Sequence, residues 1–309
     1  MKQLVILSGK GGTGKTSVAA ALADLASREM PLVLADADVD AANLELVVRP
    51  TRLEEHAFFG GQSAVIDAGR CTGCGRCAEL CRYDGIRVAE GMYSVDPLAC
   101  EGCAACFYGC PAQAIELHER QAGLWFRSDT RFGPLFHARL FAAQENSGKL
   151  VTTVKGQARA LAQQAGAALL LVDGPPGIGC PVIAASAGAD LALLVTEPTA
   201  SGAHDLERVL AMLDLLHAPA LVCINKSDIN PTQAREIASY CAARNVAVVG
   251  QLHYDDTVTI AMVHGEPVTT YQPTGKMSVA LRRLWRTLRH ELGFAGEHPV
   301  AVDPSRGGE

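Results

Sequence analysis

Eight of the eleven cysteines lie between Cys71 and Cys110, in two runs of four with the same internal spacing. A thiolate is a good ligand for soft metal ions, and ligands two or three residues apart let one loop wrap around a metal centre. Disulfides are the alternative use of many cysteines, but they are typical of small secreted proteins. The clustering within a chain of 309 residues favours metal ligation in a reducing compartment, which predicts a cytoplasmic location.

Both runs fit C-x₂-C-x₂-C-x₃-C, in which three thiolates of one run and the fourth of the other bind one [4Fe–4S] cluster. Zinc is the main alternative because C-x₂-C pairs also bind Zn²⁺, but two complete runs favour iron–sulfur clusters. Pro111 follows its run as the pattern expects, whereas Arg82 replaces the other proline, which bears on the potential of the second cluster. The predicted ligands are Cys71, Cys74, Cys77 and Cys110 for the first cluster, and Cys100, Cys103, Cys106 and Cys81 for the second.

The two runs belong to an internal repeat of 29 residues. The pair Ile66-Asp67 recurs as Val95-Asp96, and Ile86 recurs as Ile115. A duplicated half-module explains such a repeat. We therefore expect a small α+β module of the bacterial-ferredoxin kind at residues 64–118. It is inserted into one larger domain, formed by residues 1–63 and 119–295, with a tail at residues 296–309.

A glycine-rich segment near the start of the chain fits G-x-x-x-x-G-K-[ST] and lies between an apolar strand and an Ala-rich helix. Backbone N–H groups of such a loop cradle phosphates, and the helix N-terminus adds the positive end of its dipole. We expect Lys15 to pair with the β- and γ-phosphates and the Thr16 hydroxyl to bind Mg²⁺. The predicted nucleotide contacts are Gly9, Gly11, Gly12, Thr13, Gly14, Lys15, Thr16 and Ser17.

A second lysine, Lys10, makes the loop read K-G-G-T-G-K-T. This string resembles the deviant Walker A motif of the MinD/ParA/Mrp superfamily of P-loop ATPases, which includes the nitrogenase iron protein. The resemblance implies that Lys10 reaches across a nucleotide-sandwich dimer to the partner's phosphates. It also implies a homodimer or a dimer with a paralogue, and ATP as the nucleotide.

Two later segments resemble the nucleotide switches of that superfamily. The string D-A-D that ends at Asp38 resembles the first switch, which implies that Asp38 positions the attacking water. The string D-G-P-P-G from Asp173 to Gly177 resembles the Walker B and second-switch segment. It implies that Asp173 holds Mg²⁺ through a water and that the Gly177 N–H faces the γ-phosphate. An aspartate after a strand is also a common helix N-cap, but the position relative to the phosphate loop favours function.

The string N-K-S-D from Asn225 to Asp228 follows a strand and resembles a base-recognition loop. In the superfamily the asparagine faces adenine, which implies that role for Asn225. The same N-K-x-D pattern reads guanine in GTPases, so this motif alone leaves the base open. The deviant Walker A loop favours ATP.

Buried apolar strands alternate with helical segments on both sides of the cysteine-rich stretch. Strands are predicted at residues 4–7, 32–36, 168–173, 191–195, 220–224 and 246–249, and helices at 15–28, 205–216 and 232–243. This alternation predicts an α/β fold with a doubly wound, mostly parallel sheet. Residues 276–292 carry apolar side chains at helical spacing, and we expect this last helix to dock on the sheet rather than on a membrane.

The composition excludes some classes of partner. Hydrophobic residues make up 49% of the chain, and the net charge of −6 comes from well-mixed acidic and basic residues. Mixed charge argues against nucleic-acid binding. No apolar run reaches the roughly 18 residues of a membrane span, so we expect no stable membrane insertion.

Three cysteines lie outside the two runs. Cys180 follows the second switch, where the nitrogenase iron protein has a cluster ligand, but residues 133–154 hold no second cysteine to complete such a site. We therefore predict that Cys180 is a core thiol, like Cys223 in a strand and Cys241 in a helix.

Two functions agree with these features. In the first, ATP hydrolysis is coupled to electron transfer through the clusters, or to cluster handling, with a redox partner or an iron–sulfur client protein. In the second, the chain is a spatial organiser like MinD or ParA, and the clusters act as a redox sensor.

Overall fold

The computed structural model describes residues 1–141 and 146–294, so the predicted tail at 296–309 lies outside the described residues. Within these ranges the strands are β1 (Lys2–Ser8), β2 (Leu32–Asp36), β3 (Thr51–Ile66), β4 (Ile86–Ala89), β5 (Met92–Val95), β6 (Ile115–Asp129), β7 (Leu135–Leu140), β8 (Leu169–Pro176), β9 (Leu191–Thr196), β10 (Ala220–Ile224) and β11 (Val248–Gln251). The helices are α1 (Lys15–Ser27), α2 (Leu44–Val48), α3 (Arg76–Leu80), α4 (Ala105–Gly109), α5 (Ser147–Gln164), α6 (Cys180–Ser186), α7 (Ala200–Leu215), α8 (Pro231–Ala243), α9 (Asp256–Val263), α10 (Val268–Tyr271) and α11 (Lys276–Glu291).

Nine strands form one sheet in the order β11-β10-β9-β1-β8-β2-β7-β6-β3. Neighbours from β11 to β7 pair in parallel, whereas β6 runs antiparallel to both β7 and β3. The prediction of a mostly parallel α/β sheet is confirmed. The order reverses beside β1, so the loops that follow β1, β2 and β8 meet at one edge of the sheet, where open α/β sheets bind ligands.

The central strands are apolar on both faces because helices cover both sides of the sheet. One face packs against α1 and α11 in a core that includes Leu22 and Trp285. The other packs against α5 and α7, with Val154 and Leu210 among its buried residues. The strands predicted from continuous apolar runs all form.

Helix α11 docks on the sheet, as its apolar spacing predicts. Met277, Leu281, Leu284, Trp285 and Leu288 are all buried. The arginines of this helix lie mainly on its outer side, because the apolar stripe occupies the inner one. Of the helices in residues 1–141 and 146–294, none is long and apolar enough to cross a membrane.

Strands β3 and β6 form a long antiparallel ribbon that no apolar run predicts. They pair from Thr51 with Asp129 at the main sheet to Ile66 with Ile115 at the far end, where the cysteine-rich stretch follows. The expected domain limits at 63/64 and 118/119 fall inside these two strands. The ribbon therefore belongs to both the main sheet and the cysteine-rich module.

The module has a two-fold repeat in its structure. Its short helices α3 and α4 begin 29 residues apart, at Arg76 and Ala105. The strand pair β4–β5, in which Ile86 faces Val95, matches the end of the ribbon, in which Ile66 faces Ile115. The duplicated halves inferred from the sequence thus pack as two similar lobes.

Candidate nucleotide site and cysteine-lined cavities

The glycine-rich loop joins the end of β1 to the start of α1. Gly12 and Gly14 adopt φ values of 81° and 88°, in the left-handed region that favours glycine. A Cβ on Gly14 would overlap the side-chain amide of Asn225, and one on Gly9 would overlap Asp205. The loop is therefore built for glycine, and it leaves the N-terminal N–H groups of α1 open to an anion.

A cavity of about 850 Å³ opens on this loop. Its volume lies in the usual range for small-molecule and cofactor sites. Part of its wall is apolar and includes Leu252 after β11, Val258 and Met262 of α9, and Leu281 of α11. The predicted site residues that line it are Gly11, Gly12, Thr13, Gly14, Lys15, Thr16, Ser17, Asp38 and Asn225.

Lys15 lies among carboxylates at the base of the cavity. Its Nζ is 2.8 Å from Oδ1 of Asp173 and 3.8 Å from Oδ2 of Asp38. Burial by itself lowers the pKa of this lysine, but Asp173, Asp36 and Asp38 together raise it above the ordinary value. Lys15 is thus held in its charged form, as a phosphate-binding lysine must be.

Asp36 is a buried member of this group, although the motifs do not mark it as a site residue. It pairs in register with Asp173 on the neighbouring strand, and its carboxylate accepts from the backbone N–H groups of Asp38 and Leu44. Burial, and then the charge of Asp173, raise the pKa of Asp36 to about 8. Its position at the end of a parallel strand, near the phosphate loop, is the feature of the sequence that could have indicated a site residue.

Two buried polar atoms at the site have no hydrogen-bond partner among the described residues. They are Oδ2 of Asp173 and Oγ1 of Thr13. Buried polar atoms in native proteins are nearly always paired, so such atoms in a cleft indicate a ligand or water. An unpartnered carboxylate oxygen at Asp173 suits a hydrated Mg²⁺ ion, because Mg²⁺ prefers oxygen ligands and keeps several waters.

Lys10 is held by residues of its own chain that lie outside the recognised motifs. Its Nζ lies 2.5 Å from Oε1 of Glu197 and donates to the hydroxyls of Thr199 and Ser201. Lys226 lies 3.2 Å from the other oxygen of Glu197. The position of Glu197 could have indicated its role, because Glu197 directly follows β9, the strand that pairs with β1.

Asn225 and Gly177 brace the phosphate loop in this structure. The Asn225 amide donates to the carbonyl of Thr13 at 2.8 Å, and the Gly177 N–H donates to the carbonyl of Ser8 at 2.9 Å. Lys226 adds a bond to the carbonyl of Gly12 at 3.1 Å. The loops after β1, β8 and β10 are thereby tied into one unit.

The cysteine-rich module contains two small cavities, each lined by four cysteines. The structure brings together the two sets that the spacing predicts, including the exchange of the fourth member between the runs. One cavity has Ile66 and Tyr93 in its wall, and the other has Ala64 and Val95. The sets are Cys71, Cys74, Cys77 and Cys110, and Cys81, Cys100, Cys103 and Cys106.

The two cavities share their backbone features. The N–H of Gly85 donates to Sγ of Cys81 at 3.3 Å, and the N–H of Ala114 donates to Sγ of Cys110 at 3.4 Å. Gly75 and Ala104 both cap their helices with positive φ. Among the residues described, no group of three or more His, Cys, Asp or Glu is arranged to hold a single metal ion.

The three other cysteines divide differently from expectation. Cys223 and Cys241 are buried, as predicted. The prediction of a core thiol at Cys180 is wrong, because this residue is exposed at the start of α6. The first turn of this short helix, which follows the segment Asp173–Gly177, lies at the rim of the sheet rather than in its core.

Fold and site together define a P-loop nucleotide-binding protein. The family model for the CobQ/CobB/MinD/ParA nucleotide binding domain matches residues 4–268. The chain therefore belongs to this family, as a P-loop ATPase of the MinD/ParA type.

Three known proteins illustrate the relationship. An uncharacterized protein of Methanocaldococcus jannaschii is 35% identical over 230 residues, which cover 74% of this chain and 79% of that protein. The septum site-determining protein MinD of Pyrococcus horikoshii, solved with Mg-ADP, shares the fold with a TM-score of 0.56 and 17% identity, over 94% of this chain and 97% of that one. One component of an ion-translocating oxidoreductase complex of Methanosarcina acetivorans is 43% identical over 54 residues, covering 18% of this chain and 20% of that protein.

Proposed function

We propose that this protein is a dimerising ATPase that couples its nucleotide state to two [4Fe–4S] clusters, for electron transfer with a redox partner or for cluster handling with an iron–sulfur client. One observation carries the proposal. The eight cysteines of the repeat line two cavities in exchanged sets of four, at the end of a ribbon that continues the sheet bearing the phosphate loop.

ATP would occupy the large cavity, with its phosphates on the glycine-rich loop and its base against the apolar wall. Lys15 binds the β- and γ-phosphates, and Asp38 accepts a hydrogen bond from the attacking water and orients it. Thr16 and, through a water, Asp173 would hold Mg²⁺, which neutralises phosphate charge when bound. The bound Mg-ADP of the MinD relative supports this placement by fold.

Lys10 would act in the dimer. In this structure it pairs with Glu197. Burial by itself raises the pKa of Glu197, but the hydrogen bonds from Lys10 and Lys226 bring the pKa below its ordinary value. That pair lies at the mouth of the phosphate loop, where a second protomer's phosphates would compete with Glu197 for Lys10. Dimer closure would then exchange an ion pair within one chain for one between chains.

The cysteine cavities fit [4Fe–4S] clusters in donor type and surroundings. Each offers four thiols, and an N–H donor to one sulfur, which stabilises a thiolate. A cubane cluster spreads its thiolates over four irons, so the sulfurs need not converge on one point as they do around zinc. When bound, such clusters supply one-electron transfer. The local similarity to a component of an oxidoreductase complex supports this assignment.

Anaerobic purification tests the proposal directly. We expect about eight irons and eight sulfides per chain and two reduced [4Fe–4S] signals in the EPR spectrum. Mg-ATP should shift at least one reduction potential, because nucleotide energy passes on only if the two nucleotide states differ at the second site. The proposal would be contradicted by zinc in the absence of sulfide, or by reduction potentials that do not change when Mg-ATP is added.

The likeness to MinD over most of the chain favours a second candidate, a spatial organiser in which the clusters sense redox state. This function requires ATP-dependent binding to a scaffold or to a membrane surface. Such binding should survive serine substitution of all eight cysteines of the repeat, whereas the coupled function should not.

A further inference from the structure

The two cysteine cavities differ in how they connect to the rest of the molecule. The loop of residues 100–106 rests on the ribbon: a Cβ on Gly102 would overlap the carbonyl oxygen of Gln62 in β3. Arg120 of β6 donates to the carbonyl of Cys100 at 2.9 Å and to that of Pro97 at 3.3 Å. Both strands of the ribbon therefore contact this loop.

The equivalent loop, residues 71–77, rests on the module itself. Under the 29-residue repeat, Gly73 corresponds to Gly102 and Gly91 to Gln62. A Cβ on Gly73 would lie 3.9 Å from the carbonyl of Gly91, which is the turn between β4 and β5. One half thus closes in a hairpin where the other half continues into the main sheet.

Helix α5 holds the ribbon next to this contact. The register of β3 with β6 shifts twice between Phe58 and Gly61, which marks a bulge. At the start of α5, Lys149 donates to the carbonyl of Phe59 at 3.2 Å, and the side chain of Asn146 donates to that of Gly60. The bulge ends one residue before Gln62, whose carbonyl contacts Gly102. Helix α5 therefore contacts the ribbon next to the point where the loop of residues 100–106 rests on it.

The same helix holds α6, which follows the second-switch segment. A Cβ on Gly148 would lie 3.2 Å from Cβ of Cys180, the first residue of α6. Lys155 donates to the carbonyls of Ala185 at 3.1 Å and Ala187 at 2.7 Å at the other end of α6. Both ends of α6 are thus fixed to α5, so a movement of α6 must displace α5 or break these contacts.

We propose that α5 links the second switch to the loop of residues 100–106, so that the cavity lined by Cys81, Cys100, Cys103 and Cys106 responds to the nucleotide while the other cavity does not. The inference rests on the proposed function and assigns it to one half of the module. The link requires α6 to move with the nucleotide state, and α6 begins three residues after Gly177. Contacts along α5 and the ribbon bulge carry its position to Gly102.

Amide hydrogen exchange on the anaerobically purified protein tests this link. A non-hydrolysable ATP analogue with Mg²⁺ should slow exchange in residues 97–106 by about fivefold or more, the lower range of allosteric effects. Residues 68–77 serve as the internal reference and should not respond. In the Asn146→Ala/Lys149→Ala variant the response of residues 97–106 should disappear while that of residues 180–186 remains.

The matched control is Gln157→Ala/Gln164→Ala, which changes two exposed side chains of the same helix and should keep the full response. In the reduced protein, nucleotide should alter one of the two EPR signals, and the Asn146→Ala/Lys149→Ala change should abolish that effect. A full response at residues 97–106 in that variant, or an equal response at residues 68–77, overturns the link. Iron, sulfide and nucleotide affinity measured on the same samples would reveal a failure of the proposed function separately.

Discussion

Asp36 and Asp173 face each other in register across the parallel strands β2 and β8, and both are 0% exposed. Lys15 is the cation that contacts Asp173 directly, at 2.8 Å. Two buried carboxyl groups beside one ammonium group leave an excess of negative charge, and the pKa of Asp36 rises to about 8 as a result of burial and of Asp173. Asp36 therefore carries a proton at neutral pH.

This proton makes stability depend on pH. Because the pKa of Asp36 is raised on folding, its contribution to stability is complete below its unfolded pKa and is lost as pH rises through about 8. We expect the melting temperature of nucleotide-free protein to fall between about pH 5.5 and about pH 8. The fall should be smaller in Asp36→Asn, which has no group to titrate there. Thermal denaturation of both proteins measures this, and parallel curves would refute it.

Replacement of the two loop lysines should separate binding from turnover. Lys15→Ala should reduce ATP hydrolysis by about 10³-fold or more, since it removes the positive charge that binds the β- and γ-phosphates. Lys10→Ala should reduce turnover by about 10²-fold, because it removes one positioned donor to the transition state, with little change in nucleotide affinity. Steady-state ATPase assays and nucleotide titrations measure the two effects.

Two controls accompany the lysine variants. Lys2→Ala, an exposed lysine at the start of β1, should behave as wild type. Lys15→Ala also leaves Asp173 without its buried cation, so Lys15→Arg is measured beside it. Arginine retains the positive charge but not the compact geometry of the ammonium group. The Lys15→Arg variant should therefore fold but remain impaired in ATP hydrolysis. Full ATPase activity in Lys15→Ala would overturn the site assignment.

Gly102 and Gly73 offer a matched pair of substitutions. Both have positive φ, 64° and 70°, so alanine strains the backbone by about 1–2 kcal/mol at either position. At Gly102 the new Cβ would also overlap the carbonyl of Gln62 and push the loop from the ribbon. Gly102→Ala should therefore lower stability, or the occupancy of its cluster, more than Gly73→Ala. Equal losses in chemical denaturation and iron content would show that the ribbon contact is unimportant.

The exchange of cysteines between the runs gives opposite effects for two serine substitutions. Cys110→Ser should remove the cluster of Cys71, Cys74 and Cys77, although Cys110 belongs to the other run. Cys81→Ser should remove or convert the cluster of the second run and leave the first. EPR and iron analysis of each variant distinguish these results, with Cys180→Ser as the control that keeps both clusters. If each serine affected its own run, the exchange would be wrong.

The buried strands of the main sheet were predictable because both of their faces are covered, which requires continuous apolar runs. The ribbon was not, because β3 is an edge strand with mostly exposed or half-buried residues and a bulge at Phe58–Gly61. Its sequence from Arg52 to His56 is mostly charged, which is more typical of a loop than of a strand. Helix α5 also escaped prediction; its residues are polar on most faces, and only a narrow stripe that includes Leu150 and Val154 is buried.

At the site, the motif residues were predictable because phosphate loops require particular residue types at fixed spacing. Glu197 and Asp36 were not, because their roles depend on the order of strands in space: β9 and β2 flank β1 and β8. The two cysteine sets were predictable because, in the C-x₂-C-x₂-C-x₃-C pattern, the fourth cysteine of each run belongs with the first three of the other. Cys180 was misplaced because a buried thiol is only a statistical tendency, and a helix start at the rim of the sheet is exposed.

The ribbon also determines how the cysteine-rich module is joined to the main sheet. Phe59 pairs with Gln121, and Gly61 with Arg120, so the two strands that lead to and from the module lie side by side. Because β6 and β3 are the last two strands in the order of the sheet, extra residues at this point lengthen a hairpin without altering the order of any other strand. The module is thus joined to the main sheet through a single pair of strands, and a short turn between Phe59 and Gln121 would close the same hairpin.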